Sequence, residues 1–257
     1  MSWNIEVEGG SSVRLPTAGK YCDRDIVVTA TGGKEDLDAV LTEQEELIAT
    51  LQDTLRGKAS GGGGGSDFPG GYNRVDYIKF TGEQYVDTGI VCNQDTKIRT
   101  LFTRDGNASQ YVYGVNNSTN TKAITAYMGA DAADGSWRFG NQRVTKSIAT
   151  YEDIVQCAIA RKTSLTMGTG ASAYSSVSDF ETIGSLVIGG CRFEDGIEED
   201  TKFDGKIYSM QIWQSGELVL KLIPVVSADG VYGFWDEVGQ RFLTSATNIP
   251  LSGGEEQ

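Results

Sequence analysis

The sequence predicts a mainly β protein with three parts: a short N-terminal β module, a coiled-coil helix, and a C-terminal antiparallel β-sandwich or jelly roll. About a dozen short segments after residue 72 alternate apolar and polar residues between turn clusters, as strands of such sandwiches do. A Leu- and Glu-rich segment before them repeats its apolar residues in heptads, which is typical of a coiled coil. Five consecutive glycines, which fit regular structure poorly, stand between the two.

Composition and charge exclude several classes of function. The chain has 257 residues, 39% of them hydrophobic, so it can bury a sizeable core. Its 22 Lys and Arg against 35 Asp and Glu give a formal net charge of −13. This argues against nucleic acid as a partner, because a phosphate backbone requires a concentrated basic surface. The absence of histidine excludes histidine-dependent triads and histidine-ligated zinc.

The cysteines and the N-terminus indicate the compartment. The four cysteines lie far apart, without the spacing of metal or redox motifs, and we expect them to be buried free thiols: Cys22, Cys92, Cys157 and Cys191. The N-terminus has no basic start followed by an apolar run, so we expect synthesis in a cytoplasm without a secretory signal. No stretch approaches the roughly 18 apolar residues of a membrane span, and we expect no membrane insertion.

Residues 1–33 are predicted to form the N-terminal β module. Trp3, Ile5 and Val7 alternate with polar residues, and residues 26–28 form a β-branched run. Because so short a piece buries little apolar surface alone, we expect it to fold against copies of itself or against a neighbour.

Residues 34–58 are predicted to form an oligomerisation helix, a trimeric coiled coil. The segment has no glycine or proline until Gly57 and is rich in good helix formers. The residues predicted to pack between helices recur at spacings of four and three: Leu37, Leu41, Gln44, Ile48, Leu51 and Leu55. Heptads alone do not fix the number of chains, so other oligomers stay open, as does an amphipathic helix packed on a globular core.

Residues 59–71 are predicted to be a flexible glycine-rich linker. Gly57 is suited to end the helix, and strand-like sequence begins at Tyr72. A native hinge and an engineered cloning seam are both open interpretations of the glycine run.

Residues 72–257 are predicted to form the sandwich, and three of their segments resemble one family. YIKFTGEQYVDTGI, GKIYSMQIW and KLIPVVSADGVYGFWDEVGQRFL look like the laminin-G-type, concanavalin A-like jelly-roll heads of phage and prophage tail proteins. The matching positions are an opening turn, a late strand and a closing hairpin: Tyr85, Asp87, Thr88 and Gly89; Gly205, Lys206, Ile207 and Tyr208; Pro224, Gly233, Asp236 and Phe242. LPTAGKYCDRDIVVTATGG is similar to N-terminal attachment segments of tail-associated proteins.

The resemblance implies a receptor-binding protein at the tip of a tail fibre or baseplate, located in the virion. It would be a homotrimer that contacts other tail or baseplate proteins through residues 1–33. Its lectin-like heads would attach to a host surface glycan, and multivalency would raise their avidity. Two alternatives are a virion decoration protein that binds no sugar and a glycan depolymerase.

The candidate glycan-binding residues combine aromatic faces, which stack on sugar rings, with amide and guanidinium groups that bond hydroxyls. Trp137, in a polar setting, is the strongest surface candidate. Tyr111 and Tyr113 are two residues apart and are expected to share one face of a strand. The other candidates are their polar neighbours: Arg138, Asn141, Gln142, Asn116 and Asn117. Core packing of the aromatics and a solvated hairpin tip at residues 114–123 are the alternatives.

The acidic run FEDGIEEDTKFDG is a candidate calcium site, since calcium prefers several oxygen ligands. The predicted ligands are Glu194, Asp195, Glu198 and Asp200. The run does not match the EF-hand frame, and a solvated acidic loop is the alternative.

We expect no enzymatic activity. Glycoside hydrolases need two carboxylates on opposite sides of the scissile bond. The Glu-x-Asp-x-x-Glu strand motif that supplies them in the laminarinase-like branch of the fold is absent from the sequence.

Overall fold

The computed structural model describes residues 3–7, 11–15, 71–105, 108–129, 134–147, 156–167, 170–174, 176–198 and 201–255. Contacts between Cα atoms divide the chain into two compact units, Met1–Gly64 and Gly65–Gln257. In the first unit, β1 (Trp3–Val7) pairs with β2 (Ser11–Leu15) as an antiparallel hairpin. Trp3 lies opposite Leu15, and Ile5 lies opposite Val13.

The predicted fold class needs one correction. The described residues consist of strands without a helix, so the trimeric coiled-coil helix is not part of the fold that the structure shows. Helix propensity and heptad spacing are local signals that do not by themselves produce a helix in the final structure. Residues 34–58, with the six positions predicted to pack between helices, lie outside the described residues, as does most of the predicted linker.

The second unit is built from β-strands, as its alternating sequence predicts. In chain order they are β3 (Tyr72–Arg74), β4 (Tyr77–Thr81), β5 (Val86–Asn93), β6 (Thr96–Arg104), β7 (Gln110–Val115), β8 (Ala123–Met128), β9 (Asp134–Gly140), β10 (Gln142–Ser147), β11 (Gln156–Arg161), β12 (Ser164–Met167), β13 (Gly170–Ala173), β14 (Glu181–Ile188), β15 (Arg192–Phe193), β16 (Gly196–Ile197), β17 (Asp204–Gln214), β18 (Glu217–Ser227), β19 (Tyr232–Asp236), β20 (Arg241–Leu243) and β21 (Ser252–Gly254).

These strands form two sheets of a sandwich, which we call the first and second sheet. In the described part of the chain the first sheet has the order β10-β9-β8-β7-β14-β5, with the short β15 and β16 attached at β7. The second sheet has the order β13-β12-β11-β6-β17-β18-β19-β20; β3 pairs with β18, β4 pairs with β17, and β21 pairs with β4. Neighbouring strands are antiparallel, except where β15 meets β7.

The core lies between the facing rows of the two sheets. In the first sheet, Tyr113, Ala126 and Trp137 lie opposite one another on three adjacent strands and are fully buried. In the second sheet, a row of Ile98, Ile212 and Leu220 is fully buried in the same cluster. Burying this apolar surface is the main stabilising contribution to the sandwich.

A β-bulge in β7 changes which of its side chains face the core. Tyr111 pairs with Tyr127, but Tyr113 pairs with the adjacent Ala126, so one extra residue stands on the β7 side. Val112 and Tyr113 are therefore both fully buried, whereas Tyr111 is half-buried. The expectation that Tyr111 and Tyr113 share one face is wrong, because it assumed unbroken alternation.

The Asp-Thr-Gly segment at residues 87–89, within β5, contacts two other strands. The Asp87 carboxylate accepts hydrogen bonds from the Gly89 amide at 2.9 Å and the Ser185 hydroxyl at 2.6 Å. Thr88 Oγ1 donates to the Leu186 carbonyl at 2.7 Å, and the Arg241 guanidinium donates to the Thr88 carbonyl at 2.6 Å. These contacts give the segment a structural role, because they tie β5 to β14 and β20.

Two further sequence expectations concern cysteines and membrane spans. Cys92 and Cys191 are buried free thiols, as expected. Within the described ranges, no helix has the length and apolar character needed to cross a membrane.

Candidate glycan-binding face

The outer side of the first sheet carries a group of aromatic and arginine side chains. Register places Tyr111 opposite Tyr127, and Arg138 opposite Arg143, on adjacent strands. Strand alternation turns these residues away from the core row of Tyr113 and Trp137. Together with Phe193 of β15, they define a surface that we call the aromatic–arginine face: Tyr111, Tyr127, Arg138, Arg143 and Phe193.

The three rings of this face are in contact. The centroids of Tyr111 and Tyr127 are 4.9 Å apart, with the ring planes tilted by 57°. Phe193 meets Tyr111 edge to face at 6.5 Å. All three side chains are half-buried, and neither tyrosine hydroxyl has a hydrogen-bond partner among the described residues. They form an aromatic shelf that is partly open to solvent.

The β15–β16 hairpin brings Phe193 onto the shelf because β15 pairs closely beside β7 in the same sheet. Gly114 allows this approach, since a Cβ atom there would lie 2.7 Å from the Cys191 sulfur. The Asn116 amide donates to the Arg192 carbonyl at 2.8 Å. The Arg192 guanidinium forms an ion pair with Asp87 at 2.6 Å, which fixes the start of the hairpin to β5. Phe193 is therefore held by backbone and side-chain contacts on both sides.

Tyr111 lies in an environment that keeps its hydroxyl neutral. Burial, followed by the neighbouring Cys191 and Glu198, raises the pKa of Tyr111 well above its ordinary value, while Arg138 opposes this increase. The hydroxyl is thus a donor and acceptor at any physiological pH. Glu198 approaches Tyr111 from the hairpin side, and Arg138 approaches it from the sheet side.

The two arginines of the face are held at its β9–β10 end. Arg143 Nε donates to the Ser136 hydroxyl at 2.7 Å. Arg138 is half-buried, and burial together with the adjacent Arg143 lowers the pKa of its guanidinium. Arg138 nevertheless stays charged, because an arginine guanidinium is effectively always protonated in proteins. The face therefore presents fixed positive charge beside neutral aromatic rings.

The sequence-predicted aromatic residues divide between this face and the core. Trp137, the strongest surface candidate on sequence, has no exposed surface and packs inside the sandwich, as does Tyr113. The structure therefore supports the core alternative for both, and we omit them from the face. Tyr111 and Arg138 are the two predicted residues that the structure brings together here.

The predicted polar residues lie in two turns. The side-chain Oδ1 of Asn117 accepts hydrogen bonds from the backbone amides of Thr121 at 2.8 Å and Lys122 at 2.9 Å, and Asn116 Nδ2 donates to Asn120 Oδ1 at 2.7 Å. Both asparagines are buried and organise their own loop. Asn141 is exposed and Gln142 half-buried at the β9–β10 turn. Ligand binding by these four residues stays a prediction.

The predicted calcium ligands are not gathered into a site in the described part of the chain. Glu194 and Asp195 are exposed at the tip of the β15–β16 hairpin, and Glu198 is half-buried beside Tyr111. No group of three or more carboxylates among the described residues is placed to hold a metal ion. Asp200 lies outside the described residues.

Sequence reasoning missed Tyr127, Arg143 and Phe193. Each stands on a different element, and they meet through the pairing of β7 with β8, of β9 with β10, and of β15 with β7. One available signal was that Tyr127 is a polar-edged aromatic in the apolar segment AITAYM. Its pairing with Tyr111 depends on register, which a single sequence does not specify.

A separate open cleft lies at one end of the second sheet. It has a volume of about 390 Å³ and is lined by polar and charged side chains, among them Asp95, Lys97 and Arg161. The Lys97 ammonium sits 4.5 Å above the Trp213 ring and covers one face of it. The described lining of the cleft contains no aromatic side chain, so the cleft offers less aromatic surface than the aromatic–arginine face.

Comparison with known proteins does not assign the chain to a family, so the protein is classified by its fold. No family model matches the chain, and no curated protein sequence matches it. Among solved structures it is similar to the native heptameric SAP-like pentraxin from Limulus polyphemus, with 14% identity and a TM-score of 0.42. The match covers 56% of this chain and 77% of that chain. So remote a likeness carries no argument, and the strands themselves define an antiparallel β-sandwich with an aromatic–arginine outer face.

Proposed function

We propose that the chain is a carbohydrate-binding protein that holds a surface glycan on the aromatic–arginine face. The observation that carries the proposal is the contact of Tyr111, Tyr127 and Phe193 on one solvent-facing side of a rigid sheet. Exposing large aromatic rings at adjacent positions to water costs more free energy than exposing polar side chains. Their presence on an outer face therefore favours a role in binding.

The chemistry of this face suits a sugar. The C–H-rich side of a pyranose ring packs against an aromatic ring and releases water from both surfaces. The neutral Tyr111 hydroxyl and the Arg138 guanidinium provide donors, and Glu198 provides an acceptor, for the hydroxyls at the edge of the sugar. Side chains mounted on strands are better fixed than loop residues, which lowers the entropy cost of binding.

The proposal includes binding without catalysis. Glu198 is the carboxylate that acts on the Tyr111 hydroxyl from beside the face. Hydrolysis of a glycosidic bond requires a second carboxylate about 5–9 Å away. We infer attachment to a host surface as the setting, in a virion, from the resemblance of the sandwich segments to phage tail heads.

Binding of host polysaccharides tests this function. Purified chain is applied to immobilised capsular and cell-wall polysaccharides, and fluorescently labelled chain is applied to intact bacteria. The variant Tyr127→Ala removes one of the two rings that contact Tyr111 in the shelf. It should weaken binding about tenfold, the effect of losing about 1.4 kcal/mol of stacking.

The matched control is Tyr208→Ala, on β17 of the second sheet. Tyr208 is also half-buried and packs edge to face on a tyrosine, Tyr77, at 6.1 Å. Its removal should leave glycan binding unchanged. Absence of binding to every polysaccharide and every strain would contradict the proposal and favour a decoration protein, and equal losses in both variants would contradict the assignment to this face.

A further inference from the structure

We propose that the glycan bound at the aromatic–arginine face is acidic, and that Arg138 and Arg143 engage a carboxylate or phosphate group on its sugar rings. The inference rests on the proposed glycan binding and names the class of glycan. It is carried by the arrangement of the two guanidinium groups and by the absence of an acidic partner for either one within the part of the chain that the structure describes.

The two arginines face each other directly across β9 and β10. Like charges at directly opposed positions of an antiparallel pair destabilise the sheet. Arg143 bonds the Ser136 hydroxyl, and neither arginine has a carboxylate within ion-pair distance among the described residues. A bound anion between them would remove this repulsion and add charge-assisted hydrogen bonds.

Other cations of the sandwich are treated differently. Several ion pairs with Asp or Glu are formed elsewhere on the second unit: Lys79 with Asp105 and Asp204, Arg192 with Asp87, Lys221 with Glu237, and Arg241 with Asp236. The chain has an excess of 13 acidic over basic side chains, from 35 against 22, so acidic partners are plentiful. Among the described residues, Arg138 and Arg143 lack the acidic partner that these cations have.

Partial burial makes Arg138 a better anion site than a fully solvated arginine. Its stem lies against the sheet beside Thr125, which is itself 2% exposed. Water is already partly removed from the guanidinium, and this lowers the pKa of Arg138. An interaction in this less polar setting is stronger and less screened than one at an open surface. The planar guanidinium matches a carboxylate in two parallel hydrogen bonds.

The charges on the face also orient the ligand. Arg138 acts on Tyr111 from the sheet side, whereas Glu198 acts on it from the hairpin side. An acidic sugar lying on the tyrosine shelf would place its anionic group toward β9 and β10. Its hydroxyl groups would then lie toward Glu198, which accepts their hydrogens. The reverse orientation would bring two negative charges together.

The experiment compares one bound polysaccharide in its native and neutralised forms. Carboxylates are reduced to alcohols, and in a separate arm phosphates are removed with hydrofluoric acid, so the two anion sources are distinguished. The intact chain should bind one of the neutralised forms at least tenfold more weakly than the native polysaccharide. Binding of the native form should also weaken as sodium chloride is raised.

Variants locate the anion-binding group. Arg138→Gln should lose about tenfold in affinity for the native glycan and little for the neutralised one, and Arg138→Lys should fall between, because it keeps the charge but loses the paired donors. The control Arg74→Gln removes the same charge from an exposed position on β3. Circular dichroism and urea unfolding verify that each variant is folded.

The outcomes separate this inference from the proposed function. Equal binding of native and neutralised glycans would overturn the acidic specificity and leave glycan binding standing. Neutralising the glycan could weaken binding while Arg138→Gln and Arg143→Gln do not. That result would overturn the assignment of anion binding to these two arginines. Absence of binding to any polysaccharide would overturn the proposed function and the inference with it.

Discussion

Trp137 shows at the scale of single residues how burial decides the role of an aromatic side chain. It is fully buried opposite Ala126, in the row that also contains Tyr113. Neither Trp137 Nε1 nor the Tyr113 hydroxyl has a hydrogen-bond partner among the described residues. Both residues contribute volume and apolar area to the core, while the half-buried Tyr111 and Tyr127 remain open to a ligand.

Substitution of Trp137 should therefore affect stability and leave specificity intact. Trp137→Ala is expected to lower the free energy of unfolding by about 3–5 kcal/mol, because it creates a large cavity. Trp137→Phe should cost less, since it keeps most of the ring volume and removes an unpartnered N–H group. Urea unfolding measures the first effect. Glycan affinity per folded molecule should be unchanged in Trp137→Phe, and its loss would return Trp137 to the list of binding residues.

At the scale of elements, the site depends on how the β15–β16 hairpin is fixed over β7. The hairpin begins with the Arg192–Asp87 ion pair, and its approach requires the missing side chain of Gly114. Asp87 belongs to the Asp-Thr-Gly segment of β5. This segment is therefore connected, through Arg192, to the position of Phe193.

Breaking the Arg192–Asp87 ion pair should reduce glycan affinity more than it reduces the free energy of unfolding. Asp87→Asn keeps an oxygen that can accept from Gly89 and Ser185 and removes the charge that Arg192 meets. Because both partners are partly exposed, the expected cost is about 1 kcal/mol or less in free energy of unfolding. Glycan affinity should fall about threefold to tenfold as Phe193 loses its fixed position.

The matched control is Asp179→Asn, which breaks the exposed Lys162–Asp179 pair at 3.4 Å. Isothermal titration with the bound glycan measures both variants. An unchanged affinity in Asp87→Asn would show that the ion pair does not position the shelf.

At the scale of the whole molecule, several ionisable groups are buried in the sandwich in their neutral forms. Burial raises the pKa of Cys92 to about 12 and raises the pKa values of Cys191, Tyr113 and Tyr174 above their ordinary values. In the unfolded chain a cysteine loses its proton near pH 8.5 and a tyrosine near pH 10. As the pH rises, these groups therefore ionise in the unfolded chain before they ionise in the folded chain, and this favours the unfolded state.

The free energy of unfolding should thus be independent of these groups below about pH 8 and should fall as the pH rises from about 9 toward 12. Urea titrations at a series of pH values measure this decline. Cys92→Ala removes one of the groups, so its stability should fall less steeply between about pH 9 and 11. A stability that is constant to pH 11 would contradict the neutral burial of these side chains.

The sequence predicted the strands better than the site. Alternation within segments such as GKIYSMQIW correctly indicated β17, because one face of each strand is buried and the other is not. The bulge at Tyr111 and the pairing of Tyr111 with Tyr127 depend on register between distant segments, which local alternation does not encode. Arg138 was predicted as a donor next to Trp137, but the two residues point to opposite sides of the sheet.

The domain boundaries at residues 33, 58 and 71, the partners of residues 1–33 and the location in a virion stay predictions. They depend on a resemblance and on segments outside the described ranges. The sandwich itself rests on the strands and their pairing.

The central claim is that the outer side of the first sheet, at Tyr111, Tyr127 and Phe193, binds a glycan. Its most direct test is nuclear magnetic resonance of the isotopically labelled chain, titrated with an oligosaccharide cut from the bound polysaccharide. The largest amide and side-chain shifts should map to β7, β8, β9 and the β15–β16 hairpin, with the Arg138 Nε signal among them. Shifts confined to the cleft of Asp95, Lys97 and Arg161, or to no coherent surface, would contradict the claim.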